Sequence, residues 1–288
     1  MSKSIDQYLR KAQLHVKAGE VVQAEEVYKQ VLAKFPKNRK AMLGYQKLKT
    51  PPQAPIDELI SLFNSGRLRE AVSLGEPLAR QFPSAVILHE ILGAANMNLG
   101  NSDETIASYN KVLKINPKHT DAYNNLGMVF YNQGKFSKSI ENYRKAIEVE
   151  PSFADAHYNL ANALKQTGDL RGAIKSYSAS IAINPSDAEV LKNYGNALKD
   201  YGEFEKAIEC YTQVLAIHPN QADIQNNMNN VVKQKAEITS SVKQQIIQES
   251  TTSEVAQFFY YLAILFYKMG NTKRSLENVE KSVKTDAK

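Results

Sequence analysis

Glycine and proline recur along this chain with a fixed period. A constant interval separates the glycines and a proline follows each at half that interval, which gives the pairs Gly66 and Pro83, Gly100 and Pro117, Gly134 and Pro151, Gly168 and Pro185, and Gly202 and Pro219. Gly19 and Pro36 show the same spacing. The interval is a 34-residue period, which predicts stacked helix–turn–helix units, each of which buries its apolar face only against its neighbours.

Each period contains two segments with the apolar spacing of a helix. We number every repeat so that its glycine occupies position 15 and its proline position 32. In residues 120–153, for example, Tyr123 and Leu126 lie on one face of the first predicted helix. The glycine predicts a tight turn between the two helices, and the proline predicts the end of the second helix. Ser186 and Glu189 have the spacing of a capping box and predict the start of a helix.

Small residues recur at two repeat positions and tyrosine at a third. Position 8 carries Ala12, Gly93, Gly127, Ala161, Gly195 and Ala263, and position 20 carries Ala24, Ala71, Thr105, Ser139, Ala173, Ala207 and Ser275. We expect these two positions to face each other, since small side chains allow close approach of helices. Position 24 carries Tyr28, Tyr109, Tyr143, Tyr177 and Tyr211. We expect these tyrosines to be packing residues.

Small, aromatic, glycine and proline residues thus recur at fixed positions of each period. This pattern resembles the tetratricopeptide repeat. The resemblance extends over nearly the whole chain. It implies an all-α fold, a right-handed superhelical solenoid of antiparallel helix pairs, whose concave face binds proteins or peptides.

Two departures from the period divide the chain. The interval from Gly19 to Gly66 exceeds one period, and the extra stretch predicts an unpaired first helix that ends at the prolines after Lys49. Gly202 and Gly270 are two periods apart. The predicted regions are 1–51, an N-terminal repeat with a half-repeat and joint; 52–221, five regular units; 222–255, a degenerate repeat or a polar linker helix; and 256–288, a C-terminal unit.

The composition and motifs of the chain point away from catalysis. No nucleotide-binding glycine loop, metal-ligand spacing or nucleophile motif is present, so we expect no enzyme, no metal site and no cofactor. His89 and His157 both occupy position 4, where packing is expected. The single cysteine, Cys210, and the absence of an apolar leader favour a cytoplasmic protein. The longest apolar run, residues 258–267, is too short to span a membrane.

The basic character of the chain is confined to its N-terminus. Residues 1–50 contain 11 Lys and Arg against 4 Asp and Glu, whereas the remainder contains 25 against 26. A solvated helix end and an acidic protein partner or anionic surface are both compatible with this cluster. We expect no nucleic-acid partner, because no recognition module accompanies the charge.

The resemblance places the first helix of each repeat along the concave groove. The groove residues that it implies are Met128, Tyr131, Tyr158, Asn162, Lys165, Lys192, Asn196 and Lys199. Position 6 adds an asparagine in four consecutive repeats, at Asn125, Asn159, Asn193 and Asn227. These amides are similar to the asparagine ladder of O-linked N-acetylglucosamine transferases, which holds peptide backbone. Hydrogen bonding to neighbouring helices is the alternative role.

Three groove residues resemble part of the carboxylate clamp of co-chaperone repeats. They are Lys192, Asn196 and Asn227, and the full clamp also requires basic residues where this chain has Gln257 and Tyr261. A carboxylate needs a cation and several hydrogen-bond donors. We therefore expect a partner segment that is acidic or has a free C-terminus rather than a heat-shock chaperone.

The helix predicted in the last repeat is apolar nearly all round. Phe258, Tyr260, Tyr261, Ile264 and Tyr267 add to its core positions. Such a helix is normally buried on all sides, which predicts self-association into a homo-oligomer or contact with a partner.

The sequence therefore predicts a protein-interaction scaffold that binds an extended or helical segment in its groove. Two alternatives remain. The N-terminal layout resembles bacterial chains in which such repeats precede a transferase or oxygenase domain, so the chain could be the recognition region of a larger enzyme. The apolar C-terminal helix favours a self-assembling structural scaffold.

Overall fold

The computed structural model describes residues 5–249, and fourteen helices account for nearly all of this range. They are α1 Ile5–Lys17, α2 Val21–Lys34, α3 Arg39–Lys49, α4 Gln53–Asn64, α5 Leu68–Gln81, α6 Val86–Leu99, α7 Ser102–Ile115, α8 Thr120–Asn132, α9 Phe136–Val149, α10 Ala154–Gln166, α11 Leu170–Ile183, α12 Ala188–Tyr201, α13 Phe204–Ile217 and α14 Ala222–Glu249. The predicted unit 256–288 and the residues proposed for self-association lie outside the described residues.

The chain divides into two compact units between Gln133 and Gly134. Helices α1 to α8 belong to the first unit and α9 to α14 to the second. Within each unit most helices pack against the next one along the chain, in hairpins joined by short turns. The helices and turns follow the predicted period, so the predicted all-α class holds in both units.

The glycines and prolines act at the ends of helices as predicted. Gly202 ends α12 in a left-handed conformation with φ of 91°, which other residues rarely adopt. His218 precedes Pro219 and ends α13 with φ of −132° and ψ of 85°. A proline disfavours the helical conformation in the residue before it. For this reason α13 ends at Ile217, and His218 is no longer helical.

The predicted capping box at the start of α12 is wrong by one residue. Asp187, not Ser186, is the N-cap, and its Oδ1 accepts hydrogen bonds from the backbone N–H groups of Glu189 and Val190 at 3.0 and 3.1 Å. The carboxylate satisfies two backbone donors that the first turn leaves unpaired.

The small residue at position 8 lies against the tyrosine at position 24. A Cβ on Gly195 would lie 2.8 Å from Cε1 of Tyr211, and one on Gly93 would lie 2.9 Å from Cζ of Tyr109. Both tyrosines are buried, as their packing role required. The expectation that positions 8 and 20 face each other stays a prediction, and the ring at position 24 is a neighbour of position 8 that it did not include.

The helix pair α4 and α5 reverses this arrangement. Its position 8 carries Leu59, which is fully buried, and its position 24 carries Gly75. A Cβ on Gly75 would lie 3.3 Å from Cδ1 of Leu59 and 3.0 Å from Cδ2 of Leu92. The large and small partners have exchanged helices, and the sequence pattern alone did not reveal the exchange.

The two departures from the period have different structures. The extra stretch after Asn38 forms α3, the helix that the half-repeat predicted, and α3 packs on α2. Residues 222–249 form the single helix α14, so the helix–turn–helix of a degenerate repeat is absent there and the polar-helix alternative describes this range. Ala236 replaces the turn glycine, and nothing at this point interrupts the helix. The domain bounds themselves stay predictions.

Replacing Gly195 with valine tests the contact between positions 8 and 24. The new side chain would overlap Tyr211, which is fully buried and cannot move aside. We expect the free energy of unfolding to fall by about 1–3 kcal/mol, measured by urea denaturation. Gln213→Val, at an exposed position of α13, is the control for placing valine in a helix. An equal effect in both variants would contradict the contact.

Cys210 provides a reporter of the packing between α12 and α13. Burial raises the pKa of its thiol to about 11, so little thiolate exists at pH 8. We expect the thiol of the native protein to react slowly with a thiol reagent at pH 8. The unfolded protein should react rapidly, with one equivalent of reagent per chain. The native rate should rise with pH up to about 11. Native labelling at the unfolded rate would show that Cys210 is accessible.

Candidate peptide-binding groove

In the first unit, the predicted groove residues lie on α8. Asn125 donates from Nδ2 to the hydroxyl of Tyr109 on α7 at 3.0 Å. Met128 and Tyr131 are half-buried one and two turns further along α8. Burial raises the pKa of Tyr109 to about 12, so its hydroxyl stays protonated. Asn125 thus contacts a neighbouring helix, which is the alternative role expected for the asparagines at position 6.

In the second unit, Tyr158 connects the first helices of two repeats. Its hydroxyl accepts a hydrogen bond from Nδ2 of Asn193 at 2.8 Å and donates one to Oε1 of Glu189 at 3.2 Å. Asn162, one turn along α10, also hydrogen-bonds the Tyr158 hydroxyl. Burial raises the pKa of Tyr158 and keeps it a neutral donor. Side chains from α10 and α12 therefore form one polar cluster.

The asparagines at position 9 hold the hydroxyls of buried tyrosines. Tyr177 donates to Oδ1 of Asn162, and Tyr211 donates to Oδ1 of Asn196 at 2.8 Å. Both tyrosines are almost completely buried. Because a buried hydroxyl without a partner is costly, each tyrosine fixes the orientation of its asparagine. The carbonyl of Asn196 is thus occupied, and its Nδ2 has no recorded partner within residues 5–249.

Two of the three predicted groove lysines of this unit share one carboxylate partner, and the third does not. Lys165 and Lys199 both approach Asp200, with N–O distances of 3.5 and 3.7 Å. Lys192 is half-buried and forms no recorded ion pair in the part of the chain that the structure describes. Lys192 and Asn196 are four residues apart on α12 and share one face of the helix. This face therefore presents a cation next to an amide donor.

The remaining two asparagines of position 6 have different surroundings. Asn159 takes part in an interaction. Asn227, on α14, lines an open cavity of about 320 Å³ together with Lys199, Asn230, Lys233, Gln234 and Glu237. The structure therefore assigns Asn125 and Asn193 to contacts between helices and leaves Asn227 at a cavity. Sequence reasoning missed Asp200, because its pairing with Lys165 and Lys199 depends on the distance between helices.

Histidines and carboxylates do not form a metal site in the described residues. His89 and His157 hydrogen-bond through Nε2 to the carbonyls of Pro83 and Pro151, at 3.0 and 2.9 Å. Each histidine thereby satisfies a carbonyl in the turn before its own helix. This agrees with the packing role expected for position 4.

Family models describe the same repeats. A model described as "TPR repeat" matches residues 93–134, 128–168 and 195–235. Two described as "Tetratricopeptide repeat" match residues 154–187 and 9–45. Together these matches cover more than half of the chain. The chain belongs to the tetratricopeptide repeat family. No curated protein matches the sequence significantly.

Solved structures share the fold. MamA from Desulfovibrio magneticus RS-1 is 20% identical with a TM-score of 0.54, over 59% of this chain and 96% of its own. Another MamA structure is 25% identical with a TM-score of 0.50, over 55% and 86%. YrrB, described as a TPR protein with an unusual peptide-binding site, is 16% identical with a TM-score of 0.52, over 71% and 99%. They confirm the predicted α–α superhelical class.

Three further expectations concern membrane spans, self-association and a transferase domain. Within residues 5–249, no helix is both long and apolar enough to cross a membrane. The residues predicted for self-association, Phe258, Tyr260, Tyr261, Ile264 and Tyr267, lie outside the described residues. The resemblance to transferase N-terminal regions stays a prediction.

A double-mutant cycle tests the hydrogen bond between Tyr211 and Asn196. Asn196→Ala leaves a buried hydroxyl unsatisfied, and we expect a loss of about 1–3 kcal/mol in the free energy of unfolding. Tyr211→Phe leaves Asn196 partly exposed, so water can bond to it. This variant should lower the free energy of unfolding by about 0.5–1.5 kcal/mol. The double variant should be more stable than the sum of the two losses implies. Strict additivity would show that the two side chains do not interact.

Proposed function

We propose that this tetratricopeptide repeat protein is an interaction scaffold that binds a peptide segment of a partner along α10, α12 and α14. The observation that carries the proposal is the pair Lys192 and Asn196 on one face of α12. Tyr211 occupies the carbonyl of Asn196, so its amide group remains as a donor beside the lysine ammonium. A cation and an amide donor side by side suit a carboxylate.

The charges around this pair favour an acidic segment or a free C-terminus. Asp200 forms ion pairs with Lys165 and Lys199, whereas Lys192 has no recorded ion pair in residues 5–249. Glu189 lies one turn before Lys192 but bonds to the Tyr158 hydroxyl. The positive charge of Lys192 is thus the one left for a ligand on this helix face. Binding of a carboxylate there would repeat the recognition of C-termini by basic and amide groups.

The family and its neighbours support the coarser part of the proposal. Tetratricopeptide repeats bind proteins or peptides, and YrrB is described as having a peptide-binding site. The role is a non-catalytic one in the cytoplasm. Self-association through residues 256–288 and attachment to a transferase or oxygenase domain stay predictions.

Peptide binding with and without a free carboxylate tests the proposed site. We would measure by fluorescence anisotropy the affinity for two labelled random peptide pools, identical except that one is amidated at the C-terminus. We expect the free-carboxylate pool to bind more tightly, and Lys192→Ala to remove most of that difference.

Lys175→Ala is the matched control, because it removes the same charge from an exposed position of α11. This variant should bind as the unchanged protein does. Equal affinity for both pools, or an equal loss in both lysine variants, would contradict carboxylate recognition. The failure of both pools to bind would contradict the scaffold function.

A further inference from the structure

A second recess lies in the first unit, far along the sequence from the site on α12. It is an open cavity of about 960 Å³ between α1, α3 and the C-terminal end of α5. That volume lies within the range of pockets that hold a ligand. The residues on it belong to the N-terminal module, α1 to α3, and to the last turn of α5.

The floor of this recess is apolar. Tyr28, Leu48 and Phe82 are buried at its base, and Val16 and Leu43 line it while remaining exposed, by 43% and 58%. Gly44 explains the shape, since a Cβ there would overlap the ring of Tyr28. A larger residue at this position would displace the tyrosine ring.

The charge on the walls of the recess has a single sign. Lys17, Lys40, Lys47 and Arg80 line it, and no acidic residue does. Arg80 is 3.7 Å from Glu76, one turn earlier on α5. The three lysines form no recorded ion pair within the described residues. The recess therefore combines apolar surface with uncompensated positive charge.

α3 has no second helix of its own repeat to pack against. The first helices of regular repeats pack on their own second helix, as α6 does on α7, but α3 ends before the prolines and packs on α2. Its residues Leu43 and Lys47 therefore face the recess instead of a following helix.

We propose that this recess binds a segment of a partner protein that carries acidic side chains interleaved with bulky apolar ones. The carboxylates would pair with Lys17, Lys40 and Lys47, and the apolar side chains would cover Val16 and Leu43. Charge complementarity selects this occupant over residues 250–288 of the same chain, which contain six Lys and Arg against four Asp and Glu. A concave apolar floor suits side chains better than a flat lipid surface or nucleic-acid phosphates.

Two labelled peptides test the proposal. In the first, glutamates alternate with leucines along one helical face, and in the second glutamines replace the glutamates. We expect the first to bind in fluorescence anisotropy and the second to bind at least about tenfold more weakly. Affinity for the first should fall as salt is added.

Charge-reversal variants locate the binding. Lys40→Glu with Lys47→Glu should weaken binding of the acidic peptide at least about tenfold. The matched control is Lys34→Glu with Lys37→Glu, which makes the same change in net charge at exposed residues outside the recess. An equal effect of both pairs would show nonspecific attraction to the basic N-terminus and would overturn the proposal.

A matched apolar pair tests the floor. Leu43→Ser should weaken binding, whereas Met42→Ser should not, because Met42 is exposed on the same helix but does not line the recess. All of these measurements are made in the Lys192→Ala background, so that the site on α12 does not contribute to binding of the acidic peptide. Failure at the α12 site and failure here are then separable. Binding to anionic phospholipid vesicles that depends on Lys40 and Lys47, with no binding of the acidic peptide, would replace the protein partner with a membrane surface.

Discussion

The spacing of the helices depends on one contact between unequal side chains. In two repeats a glycine on the first helix lies beside a tyrosine that the second helix buries, Gly93 beside Tyr109 and Gly195 beside Tyr211. A repeat protein has no central core, so each pair of helices must set its own separation. This separation helps to place the candidate groove residues, because they lie on the same first helices.

The buried tyrosines also determine how the polar groups of the candidate groove are oriented. A phenol in the interior needs a hydrogen-bond acceptor or donor, and the nearest available groups are the asparagines of the first helix. Asn162 and Asn196 satisfy this need with their carbonyls, and Asn125 satisfies Tyr109 with its amide. The orientation of these amides in the candidate groove is thus a property of the core. A substitution chosen to alter binding will also alter stability.

The sequence predicted the helices well because the residues that end them recur with a fixed period. Glycine at position 15 and proline at position 32 act on the backbone directly, so α8 and α9 form where the pattern placed them. The same reasoning left α14 undecided, since a segment that keeps the phase but lacks glycine and proline has no reason to turn.

The pairing of groove side chains was beyond prediction. A carboxamide can bond in several directions, and only the position of the Tyr158 ring shows that Asn193 bonds to it. The capture of Lys165 and Lys199 by Asp200 likewise depends on distances between helices. The recess of the N-terminal module was missed because charge counts along a sequence do not show which lysines converge.

The exchanged pair in α4 and α5 bears on how such a chain can be rearranged. Leu59 and Gly75 reverse the usual order of small and large residues, so neither helix fits the complementary helix of another repeat. Recombination or design that joined α4 to a tyrosine-bearing second helix would place two large side chains in one space. These two helices must therefore be inherited, duplicated or transplanted together, and repeats of equal length in this protein are not interchangeable parts.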